Sequence, residues 1–309
     1  MRRILLCLFI YLSVQFVVVY VVTALWLLFV EGLSLSQILN SISTEQFYTS
    51  SLQLTFTTIY TLILLYIYIG RGWCPHHLFR LNNISLSPHT VKTDISSSNY
   101  SVSDTAKTNV PASYLPAQKL SFFSSFGIFF FVAIAALASL LPSVALQELL
   151  PTLPDLADEQ ADFLFSFPWG FIVVCLFAPV LEEVVFRGII FQTLLQKMSG
   201  VVVPVVISAA IFSVFHFNPA QMPHAFLVGI MLAFICIRTH SVIPCIFYHW
   251  VNNTAAYAIT RCYPEIESMS ITDIFGGSAT ALIASVGLSI LILAASLWVF
   301  TSLTRNRIG

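Results

Sequence analysis

Polar residues cut this chain into long apolar runs. The runs lie near residues 4–30, 52–69, 122–146, 164–196, 201–217, 223–238, 241–258 and 279–300. A helix that crosses a bilayer needs about 20 mostly apolar residues, so each run predicts one transmembrane helix. The fourth is long enough to tilt or to project from the membrane. No alternation with a period of two predicts a strand, and no repeat stands out. The predicted fold class is all-α, a polytopic membrane helix bundle with about eight transmembrane helices. Residues 82–119 are rich in Ser, Thr and Asn and predict a flexible loop. The expected organisation is two helices in 1–81, the loop in 82–119, a third helix with an external connection in 120–163, a core of four helices in 164–260, and a connection, an eighth helix and a tail in 261–309.

Composition supports this pattern. The chain is 58% hydrophobic and 9% charged, where a soluble domain carries about 25% charged residues. The lipid bilayer is therefore the expected surroundings, and nucleic acid is excluded as a partner. The opening "MRRILLCLFIYL" resembles a signal peptide. Its apolar run is too long and lacks a small-residue cleavage site, so a retained helix is expected. With the N-terminus cytoplasmic, Arg2, Arg3, Arg71, Arg80, Lys92, Lys107, Lys119, Lys197, Arg238, Arg305 and Arg307 all fall inside. Arg261 falls outside and Arg187 lies within a span, while Glu148, Asp155, Asp158, Glu159 and Asp162 gather in one external connection. The positive-inside rule thus predicts a multi-pass protein with both termini and the 82–119 loop cytoplasmic. The six cysteines are scattered with no zinc-ribbon or disulfide spacing and read as small core residues.

Against this background the stretch "LEEVVFRG", Leu181–Gly188, is unusual. A charge at a span centre costs about 2.5–3.5 kcal/mol on insertion scales. Glu183 and Arg187 are four apart on one helix face and predict an ion pair. Glu182 points about 100° away and has no partner nearby in sequence. Two further stretches supply polar groups. "FSVFHF" places His216 one turn after Phe212, and "YHWVNN" places His249 and Asn253 one turn apart. Taken singly, each has a bland reading: a histidine bonded to a backbone carbonyl, an asparagine joining helices, a Glu–Arg clamp. Jointly, a free carboxylate, two imidazoles and an amide on three helices at compatible depth form a set suited to hydrolysis. A carboxylate and an imidazole can take a proton from water, and N–H donors can hold an oxyanion. Ser213 has no nucleophile-elbow context.

The order Glu-Glu-x-x-x-Arg, Phe-x-x-x-His, His-x-x-x-Asn on separate membrane helices resembles the CAAX protease and bacteriocin-processing family, also called the Abi family. Here the motifs are Glu182-Glu183…Arg187, Phe212…His216 and His249…Asn253, within roughly residues 165–258. The resemblance implies an intramembrane endopeptidase, with type II CAAX prenyl endopeptidases among its members. It implies that Glu182 with His216 activates water, that His249 with Asn253 binds the oxyanion, and that Glu183, Arg187 and Phe212 support them. The implied partner is a membrane-associated protein or peptide, such as a prenylated CAAX protein or a bacteriocin-like precursor. Two cofactor readings stay open. A divalent metal such as zinc would take Glu182, His216 and His249. The absence of a His-Glu-x-x-His spacing favours the reading with no cofactor. The reading from a different class is a non-enzymatic polar-cavity carrier or scaffold.

Overall fold

The computed structural model describes residues 122–155 and 168–305, with Leu28, Gly32, Ser34, Ser36 and Gln37. The expected spans near 4–30 (Leu28 apart) and 52–69, the 82–119 loop, residues 156–167 and the last four residues lie outside the described set.

The described chain is all-helical. Helix α1 is Phe122–Glu148. Helix α2 is one rod of five consecutive segments: Pro168–Phe171, a π-helical Ile172–Phe177, an α-helical Ala178–Glu183, a π-helical Val184–Phe191, and Gln192–Lys197. Helices α3, Val202–Val214, and α4, Met222–Thr239, follow. Then come α5, Ile243–Cys262, the short α6, Ile271–Ile274, and α7, Ala279–Leu303. The apolar runs from the third onward thus become helices. One difference lies between α5 and α7. The connection there contains a 3₁₀ turn, Pro264–Ser268, and α6, which Ser270 and Asp273 start as a reciprocal capping box.

Among the described residues, the stretches Ser125–Glu148, Met222–Thr239 and Ala279–Leu303 are long and apolar enough to cross a membrane. Helix α3 is apolar but shorter. Helix α5 is long but carries His249, Trp250, Asn252, Asn253 and Thr254 through its middle. The helices with the polar groups are thus the least lipid-like by composition, as expected if those groups face other helices.

Membrane-type devices join the helices. Pro142 lies inside α1 and has no N–H to give the carbonyl four residues back. That carbonyl, Ala138 O, accepts instead from Ser289 Oγ of α7 at 3.1 Å. A freed backbone acceptor in an apolar setting is thereby satisfied by a neighbouring helix. Ser139 Oγ donates to Ala136 O and lies 2.7 Å from Tyr248 Oη, so Tyr248 donates to Ser139 and ties α5 to α1. At the end where α4 and α7 finish, Arg238 donates to Thr301 O at 2.6 Å and to Thr304 Oγ1 at 3.1 Å. A cation there satisfies a carbonyl of the last turn of α7. At the other end, Gln147 donates to Ala220 O at 2.7 Å and Asn218 to Asp155 Oδ1 at 2.8 Å. These bonds tie the end of α1 and the segment after it to the turn after α3.

The core lies among α1, α2, α4 and α5. Ile128, Val132, Phe186, Ile190, Leu232 and Tyr248 are buried there in one cluster. Helices α3 and α4 cross closely: a Cβ added at Gly229 would sit 2.9 Å from Ala209 Cα. That contact sets the depth at which α4 presents its backbone to α2.

Candidate active site

The site is built around the middle of α2. Pro179 cannot donate to the carbonyl four residues back and crowds it. The turns before it are π-helical and those after it α-helical up to Glu183. A second π-helical stretch then carries Arg187. Such wide turns recur at functional sites, and here they flank Glu182 and Glu183.

Glu183 and Arg187 are fully buried, and Arg187 Nη1 donates to Glu183 Oε1 at 3.1 Å. The guanidinium has two further neighbours. Nη2 donates to Gly229 O of α4 at 3.0 Å, and the charge sits 4.3 Å from the centre of the Phe212 ring of α3. A cation over an aromatic face gains about 0.5–2 kcal/mol. Arg187 therefore links three helices. Glu183 also binds α5, since His249 Nδ1 lies 3.0 Å from Glu183 Oε1. With Glu183 ionised, that carboxylate oxygen accepts, so the shared proton lies on Nδ1. Oε1 thus takes two partners while Glu183 Oε2 and Arg187 Nε have none.

Glu182 differs from its neighbour. Its side chain is 18% exposed, yet its Oε2 is buried and has no hydrogen-bond partner. That oxygen faces His249 Nε2 across 3.9 Å. The gap is too long for a direct hydrogen bond. His216, just past the end of α3, lies 2.9 Å through Nδ1 from Phe212 O. A carbonyl only accepts, so Nδ1 carries a proton, and in the neutral ring Nε2 keeps its lone pair. Both imidazoles meet the Phe212 ring edge-on, at centroid distances of 4.8 Å for His216 and 5.7 Å for His249. Phe212 is therefore a wedge between the two histidines, capped by the Arg187 charge. Phe217, next after His216, has φ +52°, a left-handed conformation that is uncommon for a bulky residue.

Asn253 lies one turn beyond His249 on α5. Its Nδ2 donates to Val174 O at 2.9 Å, which ties α5 to the first π-helical stretch of α2. One amide N–H of Asn253 remains beyond that bond.

The structure thus brings together Glu182, Glu183, Arg187, Phe212 and His249, with His216 joined through Phe212 and Asn253 through Val174. The ion pair expected from spacing is present. The imidazole across from Glu182 Oε2 is that of His249, whereas the family resemblance pairs Glu182 with His216. Sequence reading missed Gly229, whose contribution is a backbone carbonyl with no side-chain signal. It also missed His224 of α4, Asn252 of α5 and Ser143 of α1. His224 Nδ1 lies 2.9 Å from Ser143 Oγ, and Asn252 Nδ2 lies 3.5 Å from His224 Nε2. The available signal was a lone polar residue in the apolar stretch "MPHAFLVG".

A zinc ion would need at least three protein donors converging on one point. Among the described residues, no three His, Cys, Asp or Glu side chains form such a group.

Residues 164–255 match the family described as "Type II CAAX prenyl endopeptidase Rce1-like". The chain is 32% identical to the "Putative membrane peptidase YdiL" of Bacillus subtilis (strain 168) over 123 residues, 38% of this chain and 49% of the relative. The chain therefore spans about half the length of that curated relative. No solved structure matches it. The matched segment takes in all of α2, α3 and α4, and α5 through Ala255, so all three motifs lie inside it. Over this segment the chain is similar to this family and to that membrane peptidase.

Proposed function

We propose that this protein is an intramembrane endopeptidase that hydrolyses a peptide bond of a membrane-associated substrate. The observation that carries the reading is Glu182. It is a carboxylate with a buried, unpartnered oxygen that faces an imidazole, beside a second carboxylate that is already paired. Burying a polar atom without a partner costs about 1–3 kcal/mol, and more for a charged group. Glu183 also has an unpartnered oxygen, but its other oxygen gains Arg187 and His249 in return, whereas Glu182 gains no hydrogen bond among the described residues. A general base gains a proton acceptor placed where water and substrate meet.

In this mechanism Glu182 takes a proton from water while the lone pair of His216 Nε2 orients that water. The oxygen attacks the carbonyl carbon of the scissile bond and the carbonyl oxygen becomes an oxyanion. Asn253 donates to the oxyanion through its remaining N–H. His249 donates from Nε2 when that nitrogen also carries a proton. Such a proton would balance the charge of Glu182, Glu183 and Arg187 taken together. The C–N bond then breaks, and the leaving amine receives the proton that Glu182 held. Arg187 and Glu183 hold His249 and Phe212 in place throughout. No metal is needed, because the carboxylate itself is the base.

The family match supports prenylated proteins ending in Cys-aliphatic-aliphatic-X as the first substrate class to test. The test is to incubate the purified protein with a farnesylated peptide of that form in ¹⁸O-labelled water. The expected result is release of the last three residues and one ¹⁸O atom in the new prenylcysteine carboxylate. An intact peptide would remove this substrate class. A cleaved peptide with no label in the new carboxylate would remove the water mechanism.

A further inference from the structure

A second polar chain runs behind the site and starts on α1, outside the segment that matches the family. Ser143 is buried, and its Oγ donates to Leu140 O at 2.8 Å. Its one proton is thereby used, so Ser143 Oγ must accept from His224 Nδ1–H at 2.9 Å. His224 Nε2 is then a bare lone pair and accepts from Asn252 Nδ2 at 3.5 Å. The chain can also be followed from its other end. Val174 O only accepts, so Asn253 Nδ2 donates to it and Asn253 Oδ1 is an acceptor, with Asn252 Nδ2 at 3.3 Å as its donor. Both directions meet at Asn252 Nδ2, whose two hydrogens serve His224 and Asn253. A backbone carbonyl closes each end, and every proton between them has one place to be.

We propose that His224, as the neutral Nδ1–H tautomer, is a positioning residue that fixes the amide of Asn253 for catalysis. It does so through Asn252, and it rests in turn on Ser143 of α1. With Asn253 Oδ1 held by Asn252 and one N–H held by Val174, the remaining N–H has a single direction in which to meet the oxyanion. Without the acceptor on His224, Asn252 loses one of its two anchors and the Asn253 amide can turn. The inference rests on the oxyanion role of Asn253 proposed above. It makes α1 part of the catalytic machinery.

The test compares three variants in hydrolysis of the farnesylated peptide, each normalised to folded protein. His224→Leu removes the acceptor, and kcat should fall by about 10² with KM unchanged, as for a displaced reacting group. His224→Gln carries an acceptor oxygen roughly where Nε2 was and should restore most of kcat. His224→Asn reaches only the Nδ1 position and should not. In an Asn253→Ala background, His224→Leu should cost nothing further, because the two changes act through one donor. Additive losses, equal behaviour of the Gln and Asn variants, or a loss of folded protein with normal kcat would overturn the proposal. If Asn253→Ala alone leaves kcat intact, the oxyanion reading falls first and this inference falls with it. An arm that needs no substrate uses ¹⁵N spectra of the His224 ring, where a protonated Nδ1 and bare Nε2 are expected. The opposite tautomer contradicts the proposal even if the peptide is never cleaved.

Discussion

Glu182 and Glu183 are neighbours with opposite environments, and the difference decides their roles. Glu183 shares one oxygen between Arg187 and His249, so it stabilises the bundle and orients an imidazole. Glu183→Gln and Arg187→Ala each leave a buried charge without its partner, which costs about 3–5 kcal/mol. Both should lower the amount of folded protein, read as detergent-extracted monodisperse material. The double change Glu183→Gln with Arg187→Met should recover part of that loss, because no lone charge remains. Full abundance for each single variant would contradict the ion-pair role. The Glu183–Arg187 contact was legible from spacing alone, since four residues in a helix bring two side chains together. The bond from Glu183 to His249 was not, because it depends on how α2 and α5 pack.

At the scale of the element, α2 departs furthest from what a sequence discloses. The apolar run predicts a long helix, and the structure has one. Its two π-helical stretches change which side chains point the same way, and no periodicity count distinguishes them from α-helix. The close crossing of α3 and α4 is a second such feature. Gly229 has no room for a Cβ against Ala209, and its carbonyl receives Arg187. Gly229→Ala should therefore push α4 from α3 and lengthen the Arg187 bond. A loss of about 1–3 kcal/mol is expected for overpacking at such a contact, read as a lower midpoint in thermal unfolding in detergent. An unchanged midpoint would show that α3 and α4 can separate without cost. Small residues at helix contacts are common in membranes, but the sequence alone does not say which glycine makes one.

At the scale of the whole molecule, the apolar runs disclose the helices of the described residues, because a bilayer leaves few alternatives to the helix. The helix ends also follow local chemistry: Pro223 and Pro244 occupy the first turns of α4 and α5. Motif order pointed to the candidate set, since the three motifs all fall inside the segment that matches one family. The supporting set stayed hidden. Ser143, His224 and Asn252 carry no motif, and only packing brings them to one place. The orientation in the membrane is a proposal from charge distribution: reporter fusions at Asn99 and Asp155 should report opposite sides, and the same side for both would remove it. On cofactors, the carboxylate mechanism predicts that exhaustive chelation leaves hydrolysis intact. Loss of activity restored by stoichiometric zinc would replace it with a metal mechanism. The most direct measurement concerns Glu182. Glu182→Gln keeps size and hydrogen-bonding capacity, so folded protein should be unchanged or slightly increased, since an unpartnered buried carboxylate is costly. Turnover of the farnesylated peptide, per folded molecule, should fall by about 10² or more, the range general-base catalysis supplies. A Glu182→Gln protein that cleaves at the unaltered rate would contradict the account.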